Sequence, residues 1–566
     1  MAYYSMHAYD ADVWIEWFLG IRQDDDELHT DIRYAAEAEN VETPKGILQP
    51  HAAHEVLLGQ FNGAKIETIA SFYRRWYKGV GSKEWLICAA GGKLYYRQED
   101  YAGEWTQIPM PAGVTTFQSN VWSWVTYETN VEDADYPIDV LVLSNARDGM
   151  LMVIPPDRPQ VWDDLMEQTW TTVKAKTWGT ILSPAWTIRT ISIPGDKKFG
   201  VIERYADRIW GGDIADNPDM LMYSAPYDPT DWEVNADIPE DGAGDVLQPS
   251  WDGDSFTSLK AFGDQLVAFK EHRVWRIFGT NPGEYTFKEQ FGGGAPFYNT
   301  IVVHGERILM ANTDGLSIFD GMNVSPYIRE QIGELWRRVN RNAMSQMCAA
   351  IYKDQYYLSV PIDGSTVNNA MIVVNLISGT VLFYNDLKIE SFLANNNHLY
   401  ATSSDLPGKT LILNYDSWVT GKAAGSATKW VSPWIDFGYK RIQKGGFELY
   451  FTPEVQNEPV TLTISVQTEK KKKTKNYTVQ PLNVVAPGKS KTWEQATDAS
   501  WGAFMQHTWG DISGKVDETV RKFRHKRLHF SGTGRRFRVI IETAAGVTAP
   551  WRLIGGIQMV VETDPD

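Results

Sequence analysis

Cysteine is almost absent from this chain: Cys88 and Cys348 are the only two in 566 residues. Both lie in apolar, strand-like stretches. They read as buried free thiols, which argues against a disulfide-stapled secreted scaffold. Long apolar runs are missing too, so no membrane insertion is expected. The opening Met1-Ala2-Tyr3-Tyr4-Ser5-Met6-His7 has neither the basic start nor the apolar centre of a secretory signal, and folding in a cytoplasm is expected. Helical periodicity is scarce, which argues against parallel βα repeats. Catalytic signatures are also missing: there is no H-E-x-x-H, no Walker loop and no nucleophile elbow. His51 and His54 form the only close histidine pair and read as loop residues, because no cysteine lies nearby. Phe291-Gly292-Gly293-Gly294-Ala295-Pro296 opens no helix and so cannot cradle a phosphate. Asp213, Asp216, Asp219, Asp228 and Asp231 read as turn formers, since Asp bonds its own backbone. The expectation is no enzyme, no metal and no cofactor.

What is present is a recurring phrase: a short apolar strand, a tight turn, and a second strand rich in aromatic residues. Trp85-Leu86-Ile87-Cys88-Ala89-Ala90-Gly91-Gly92-Lys93-Leu94-Tyr95-Tyr96 is one copy. Residues 265–277 and 307–319 hold two more. Aromatics make up 13% of the chain, including 23 Trp and 26 Tyr, and large flat side chains favour pleated surfaces. About seven such units recur between residues 62 and 425, at roughly 45–55 residues each, the spacing of four-stranded propeller blades. They begin near Ile66, Val121, Phe199, Phe256, Ile301, Met347 and Ile389. The fold class expected is all-β: a β-propeller of about seven blades, six to eight being compatible, followed by a β-sandwich or jelly-roll-like domain.

Three segments break the repeat. Residues 1–61 read as an acidic arm or lead-in strands. Residues 327–340 read as a helix, with Ile328, Ile332, Leu335, Trp336 and Val339 on one face, packed on the propeller rim or turned to a partner. Gly421-Lys422-Ala423-Ala424-Gly425-Ser426-Ala427 reads as a flexible linker, after which residues 426–566 form the second β-domain. Alternating apolar residues in Val460-Thr461-Leu462-Thr463-Ile464-Ser465-Val466 mark one of its strands.

Charge is unevenly spread. The net is −17, which argues against a sequence-independent grip on nucleic acid. Residues 1–60 hold 12 acids against 3 bases, while residues 428–566 hold 21 bases against 14 acids. Candidate interaction surfaces follow: the acidic run Asp24, Asp25, Asp26 and Glu27; Trp336 on the expected helix; the hairpin tip Lys470, Lys471, Lys472 and Lys473; and Arg524, Lys526 and Arg527 in the second basic run. Each also reads as a plain solvated segment or, for Trp336, as rim packing.

A resemblance becomes visible in Asp207-Arg208-Ile209-Trp210-Gly211-Gly212-Asp213-Ile214-Ala215-Asp216-Asn217-Pro218, with Leu221-Met222-Tyr223-Ser224-Ala225 and Asp228-Pro229-Thr230-Asp231-Trp232. Thr257-Ser258-Leu259-Lys260-Ala261-Phe262 and Ser432-Pro433-Trp434-Ile435-Asp436-Phe437-Gly438 continue the style. The chain resembles the β-propeller tail-hub or nozzle proteins of short-tailed bacteriophages, the packaged-DNA-stabilising type, over most of residues 60–566. The resemblance implies a virion protein assembled in the host cytoplasm. It would form a homohexameric ring that extends the DNA conduit below the portal and adaptor and anchors tail fibres or spikes. DNA would pass through the lumen without sequence-specific binding, and no catalytic residues carry over. The alternative reading is a carbohydrate-binding or carbohydrate-cleaving tail protein, in which the many Trp and Tyr stack on sugars.

Overall fold

The computed structural model describes residues 9–23, 30–57, 63–75, 82–98, 105–131, 137–156, 185–235, 237–247, 254–291, 293–329, 331–395, 398–414, 416–438, 443–481 and 526–563. The chain divides into two compact units: His54–Leu413, and Met1–Ala53 together with Asn414–Asp566.

The first unit is a seven-bladed β-propeller. Each blade is a four-stranded antiparallel sheet. The innermost strands of blades 1 to 7 are Ile66–Arg74, Ser123–Thr129, Val201–Tyr205, Phe256–Phe262, Val302–His304, Cys348–Tyr352 and Ile389–Ala394. The recurring sequence phrase is the hairpin of the two middle strands: Lys83–Ala90 with Lys93–Gln98 in blade 1, Gln265–Lys270 with Arg273–Phe278 in blade 4, and Arg307–Asn312 with Gly315–Phe319 in blade 5. The Gly91-Gly92 turn of blade 1 has φ of +57° and +72°, which glycine adopts at no steric cost. A side chain at Gly92 would also meet the Phe117 carbonyl oxygen at 2.8 Å.

Aromatic and aliphatic side chains between neighbouring blades form the core. Between blades 1 and 2, Phe72, Trp85 and Trp186 stack edge and face within 5.3–6.0 Å. Between blades 3 and 4, Trp210 packs on Tyr223 at 4.8 Å and on Tyr285 at 5.1 Å. Each such ring contributes on the order of 1.5–3 kcal/mol by leaving water. Hydrogen bonds tie successive blades: the Tyr127 hydroxyl donates to the Asp207 carbonyl at 2.6 Å, and the Tyr205 hydroxyl donates to the Asp264 carbonyl at 2.9 Å. Blade 7 takes its outermost strand, Glu55–Val56, from the other end of the unit. Ile69 and Leu86 of blade 1 then pack with Leu393 and Tyr400 of blade 7, closing the circle. Closure leaves each blade's inner edges covered and removes long exposed sheet edges.

The second unit is a β-domain of two main sheets and a short two-stranded pair, Val41–Glu42 with Gln49–Pro50. One sheet runs in the order Tyr9–Ile15, Trp551–Thr563, Lys444–Val455, Lys526–Gly534. The other runs Glu37–Glu39, Thr428–Val431, Phe537–Thr543, Val460–Thr468, Lys472–Val479. Period-two burial puts Phe447, Leu449 and Phe451 of the first sheet inward, and Leu462, Ile464, Val539 and Ile541 of the second. Phe447 stacks on Phe537 across the sheets at 5.5 Å.

Four expectations change or narrow. Of the two readings of the first segment, lead-in strands fits its described residues: Tyr9–Ile15 pairs with Trp551–Thr563, and Glu37–Glu39 pairs with Thr428–Val431. The propeller is thus inserted between two parts of the β-domain, and its boundaries are 54 and 413, not 62 and 425. The glycine-rich 421–427 segment is no free linker, because the Ala423 amide donates to the Thr548 carbonyl and Ala423 bridges Ala52. The helix expected over 327–340 shrinks to Gly333–Arg337. Tyr327 ends a strand, and Ile328 sits at φ +47°, outside helical space. The apolar spacing there reports burial, since Ile332, Leu335, Trp336 and Val339 are all inside. Five residues cannot sustain a helix without such packing.

Candidate functional site

The innermost strands of the propeller enclose a central cavity, about 380 Å³ in volume, lined by strands or adjoining turns of all seven blades. Alternation along the innermost strands turns Glu67, Glu203, Lys260 and Glu390 toward it. Two charged sets face each other, because blades 7 and 1 lie across a seven-membered ring from blades 3 and 4. In the first, Lys65 pairs with Glu390 at 2.9 Å and with Glu67 at 3.4 Å, and Asn120 donates to Glu67 at 3.1 Å. In the second, Lys260 pairs with Glu203 at 3.3 Å. Burial is the largest single influence on the Lys65 ammonium and would lower its pKa, but the bonds and charges of Glu390 and Glu67 together outweigh it and hold the pKa above the ordinary lysine value. The Glu390 side chain is 10% exposed, and its Oε2 has no hydrogen-bond partner among the described residues. Trp124 and Phe392 add aromatic surface. Cys348 also lines the cavity, yet burial pushes its thiol far up, so it is no thiolate nucleophile near neutral pH.

Three acids offset by two lysines make this a salt-bridged plug more than a reactive centre. The volume falls at the low end of small-ligand pockets. It cannot pass a duplex, whose major groove alone is about 12 Å wide. Elsewhere, Asp254, Glu271 and His272 in blade 4 bring ligand atoms within 4.8 Å of one another. The Asp254 carboxylate accepts from the Glu271 and His272 amides at 2.8 and 2.9 Å, so it closes their turn.

The surfaces expected from sequence fall as follows. Asp24, Asp25, Asp26, Glu27 and Arg524 lie outside the described residues. Trp336 does not present a surface: it is 7% exposed, and its Nε1 donates to the Thr313 carbonyl at 3.2 Å. The lysine hairpin is a hairpin: Val460–Thr468 pairs with Lys472–Val479, and the Thr468 amide donates to the Lys471 carbonyl across the turn. Residues 469 to 476 are exposed throughout. Lys472 approaches Glu542 at 3.7 Å and Lys473 donates to Ser531 at 2.7 Å, whereas the Lys470 and Lys471 ammonium groups have no ion-pair partner among the described residues. Lys526 lies over the Tyr477 ring, and Arg527 pairs with Glu448. The structure thus gathers the hairpin and the start of strand Lys526–Gly534 into one β-domain, apart from Trp336 in the propeller. Sequence reasoning missed Lys65, Glu67, Glu203, Lys260 and Glu390. Their available signal was a charge at or beside the first strand of a blade unit.

Charge also redistributes. The two segments of the β-domain unit together hold 26 acids and 25 bases, so the acidic start and basic end nearly cancel. The propeller unit holds 45 acids and 29 bases, a net of −16 out of the chain's −17. Among the described residues no helix is long and apolar enough to cross a membrane.

No family model matches this chain, and no curated protein is similar to it at a significant level. Among solved structures it is similar to the CNH domain of AfRom2, at 8% identity and a TM-score of 0.33, over 64% of this chain and 99% of that one. It is similar to the WD40 domain of Neurospora crassa Pan2, at 10% identity and 0.30, over 62% and 89%. It is also similar to an exo-beta-1,3-galactanase from Phanerochaete chrysosporium solved with galactose, at 9% identity and 0.24, over 90% and 100%. With TM-scores below 0.5 these likenesses say nothing about activity, and the blade-by-blade strand order stands as the evidence for the propeller.

Proposed function

We propose that this chain is a structural, non-enzymatic virion protein of a phage tail. Several copies, six by the resemblance, form a ring that extends the DNA conduit below the portal and adaptor, helps to retain packaged DNA and anchors other tail proteins. The observation that carries the reading is the charge map: a rigid closed propeller with a net of −16 beside a β-domain that is nearly neutral yet carries a lysine cluster on one hairpin. An anionic wall repels phosphates and lets a duplex slide without gripping it. The cavity inside one propeller is far too small for that duplex, so the conduit of this reading runs between copies.

Negative-stain images of the purified full chain test it. A ring with an open central channel is expected. A stable monomer, or one that binds or cleaves host surface polysaccharide on a glycan array, would overturn it in favour of a carbohydrate-directed tail protein.

A further inference from the structure

Two sheet edges in this molecule are guarded by charge of opposite sign. The outermost strand of blade 3, Gly244–Leu247, pairs only with Met220–Tyr223. Its other edge has no strand partner among the described residues. The described parts of the loop before it, residues 233–235 and 237–243, are fixed from beneath. Arg208 is 1% exposed, and its guanidinium donates to the carbonyls of Ser224 at 2.8 Å, Gly242 at 2.6 Å and Glu240. The Ala243 amide closes the loop on the Glu233 carbonyl at 3.1 Å. This pinned edge presents Val234 at 68%, Ile238 at 52% and Leu247 at 56% exposure, an unusual concentration of bare apolar side chains. Around them stand Asp237, Glu240, Asp241 and Asp245, all exposed and without an ion-pair partner among the described residues.

Three other blade edges carry the usual deterrents: Arg189 in Thr187–Ile191, Lys288 in Thr286–Phe291 and Pro326 in Val324–Tyr327; Thr106–Gln107 and Val381–Tyr384 are uncharged, and Glu55–Val56 carries a single acid. Blade 3 carries only negative charge. The complementary edge is the β-domain strand Lys472–Val479, outermost in its five-stranded sheet, and the Lys470 and Lys471 ammonium groups at its tip have no ion-pair partner among the described residues.

We infer that the lysine-guarded edge of one copy docks on the acidic, apolar-backed blade 3 edge of a second copy of this chain. Like edges repel, so two copies cannot join symmetrically through either one. Unlike edges attract, and a contact between two different surfaces is the kind that builds rings when its rotation closes. Backbone pairing between the two free edges would supply affinity, and Ile238 and Leu247 would supply the dry centre. This rests on the ring reading above and names the surfaces that would make the ring.

The test uses sedimentation velocity of the full chain with three variants: Asp241→Lys with Asp245→Lys, Lys470→Glu with Lys471→Glu, and all four together. All four side chains are exposed, so unfolding temperatures should match the parent and confirm that each variant folds. Each two-site reversal is expected to weaken assembly tenfold or more, the four-site reversal to restore it, and added salt to weaken the parent assembly. A ring that survives either two-site reversal, or a four-site variant that stays dissociated, would overturn this interface and leave the ring reading standing. A parent chain that is monomeric at every concentration would overturn both.

Discussion

The propeller and the β-domain are both antiparallel, aromatic-rich and of similar strand chemistry, yet they are held together in opposite ways. Six propeller blades draw all their strands from contiguous sequence, and blade 7 borrows one from afar. The β-domain pairs Tyr9–Ile15 with Trp551–Thr563, and the Trp14 indole donates to the Gly555 carbonyl 541 residues away. Local pairing closes short loops at small entropic cost, while distant pairing must wait for the intervening chain. The propeller can therefore fold as a unit before the β-domain has its last strand.

The sharpest way to break this contrast is at Gly556. Its φ is +78°, and an added Cβ would stand 1.9 Å from the Ile15 carbonyl oxygen. Gly556→Ala is expected to cost more than about 4 kcal/mol and to shift only the β-domain transition in denaturant. If both transitions move together, the two units unfold as one. Arg208→Met probes the propeller instead. It strips the donors from three buried or half-buried carbonyls and is expected to cost about 3 kcal/mol, with faster amide exchange confined to the 233–243 loop.

The pH dependence of the β-domain sharpens the comparison further. Glu42 is fully buried, and burial raises its pKa well above the ordinary 4.5, partly offset by bonds from the Ala52 amide and Gln49 and reinforced by Asp416. The folded state therefore favours the protonated acid. Its contribution is fully present below pH 4.5 and is lost as pH rises through the raised value. The unfolding temperature of the β-domain is expected to fall from pH 5 to pH 8, and Glu42→Gln should flatten that fall and leave the propeller transition unchanged. The smallest effect is expected at a blade-to-blade tie: Tyr127→Phe removes the bond to the Asp207 carbonyl and should cost about 1 kcal/mol, read from the propeller transition alone.

Legibility followed the same divide. The hairpins of blades 1, 4 and 5 were visible because alternation and a turn such as Gly91-Gly92 act over a dozen residues. The helix over 327–340 was over-read because Ile332, Leu335, Trp336 and Val339 are buried in a mixed turn whose spacing imitates a helical face. The acidic start and the basic end looked like two surfaces for different partners; the fold places them in one nearly neutral unit, which no local pattern announces. The lysine hairpin was legible as a hairpin, but its counterpart was not. Val234, Ile238 and Leu247 look like core residues in sequence, and only the position of Gly244–Leu247 outside Met220–Tyr223 leaves them bare.

By itself, then, the amino-acid order determined the unit of construction and its repetition, because strand alternation and turn chemistry are properties of neighbours along the chain. Only the tertiary structure decided that seven blades close with a borrowed strand, that Lys65, Glu67, Glu203, Lys260 and Glu390 converge on one cavity, and that residues 1–53 complete the distant β-domain. Those outcomes depend on contacts across hundreds of residues, where burial and hydrogen-bond pairing choose among partners that sequence leaves equivalent.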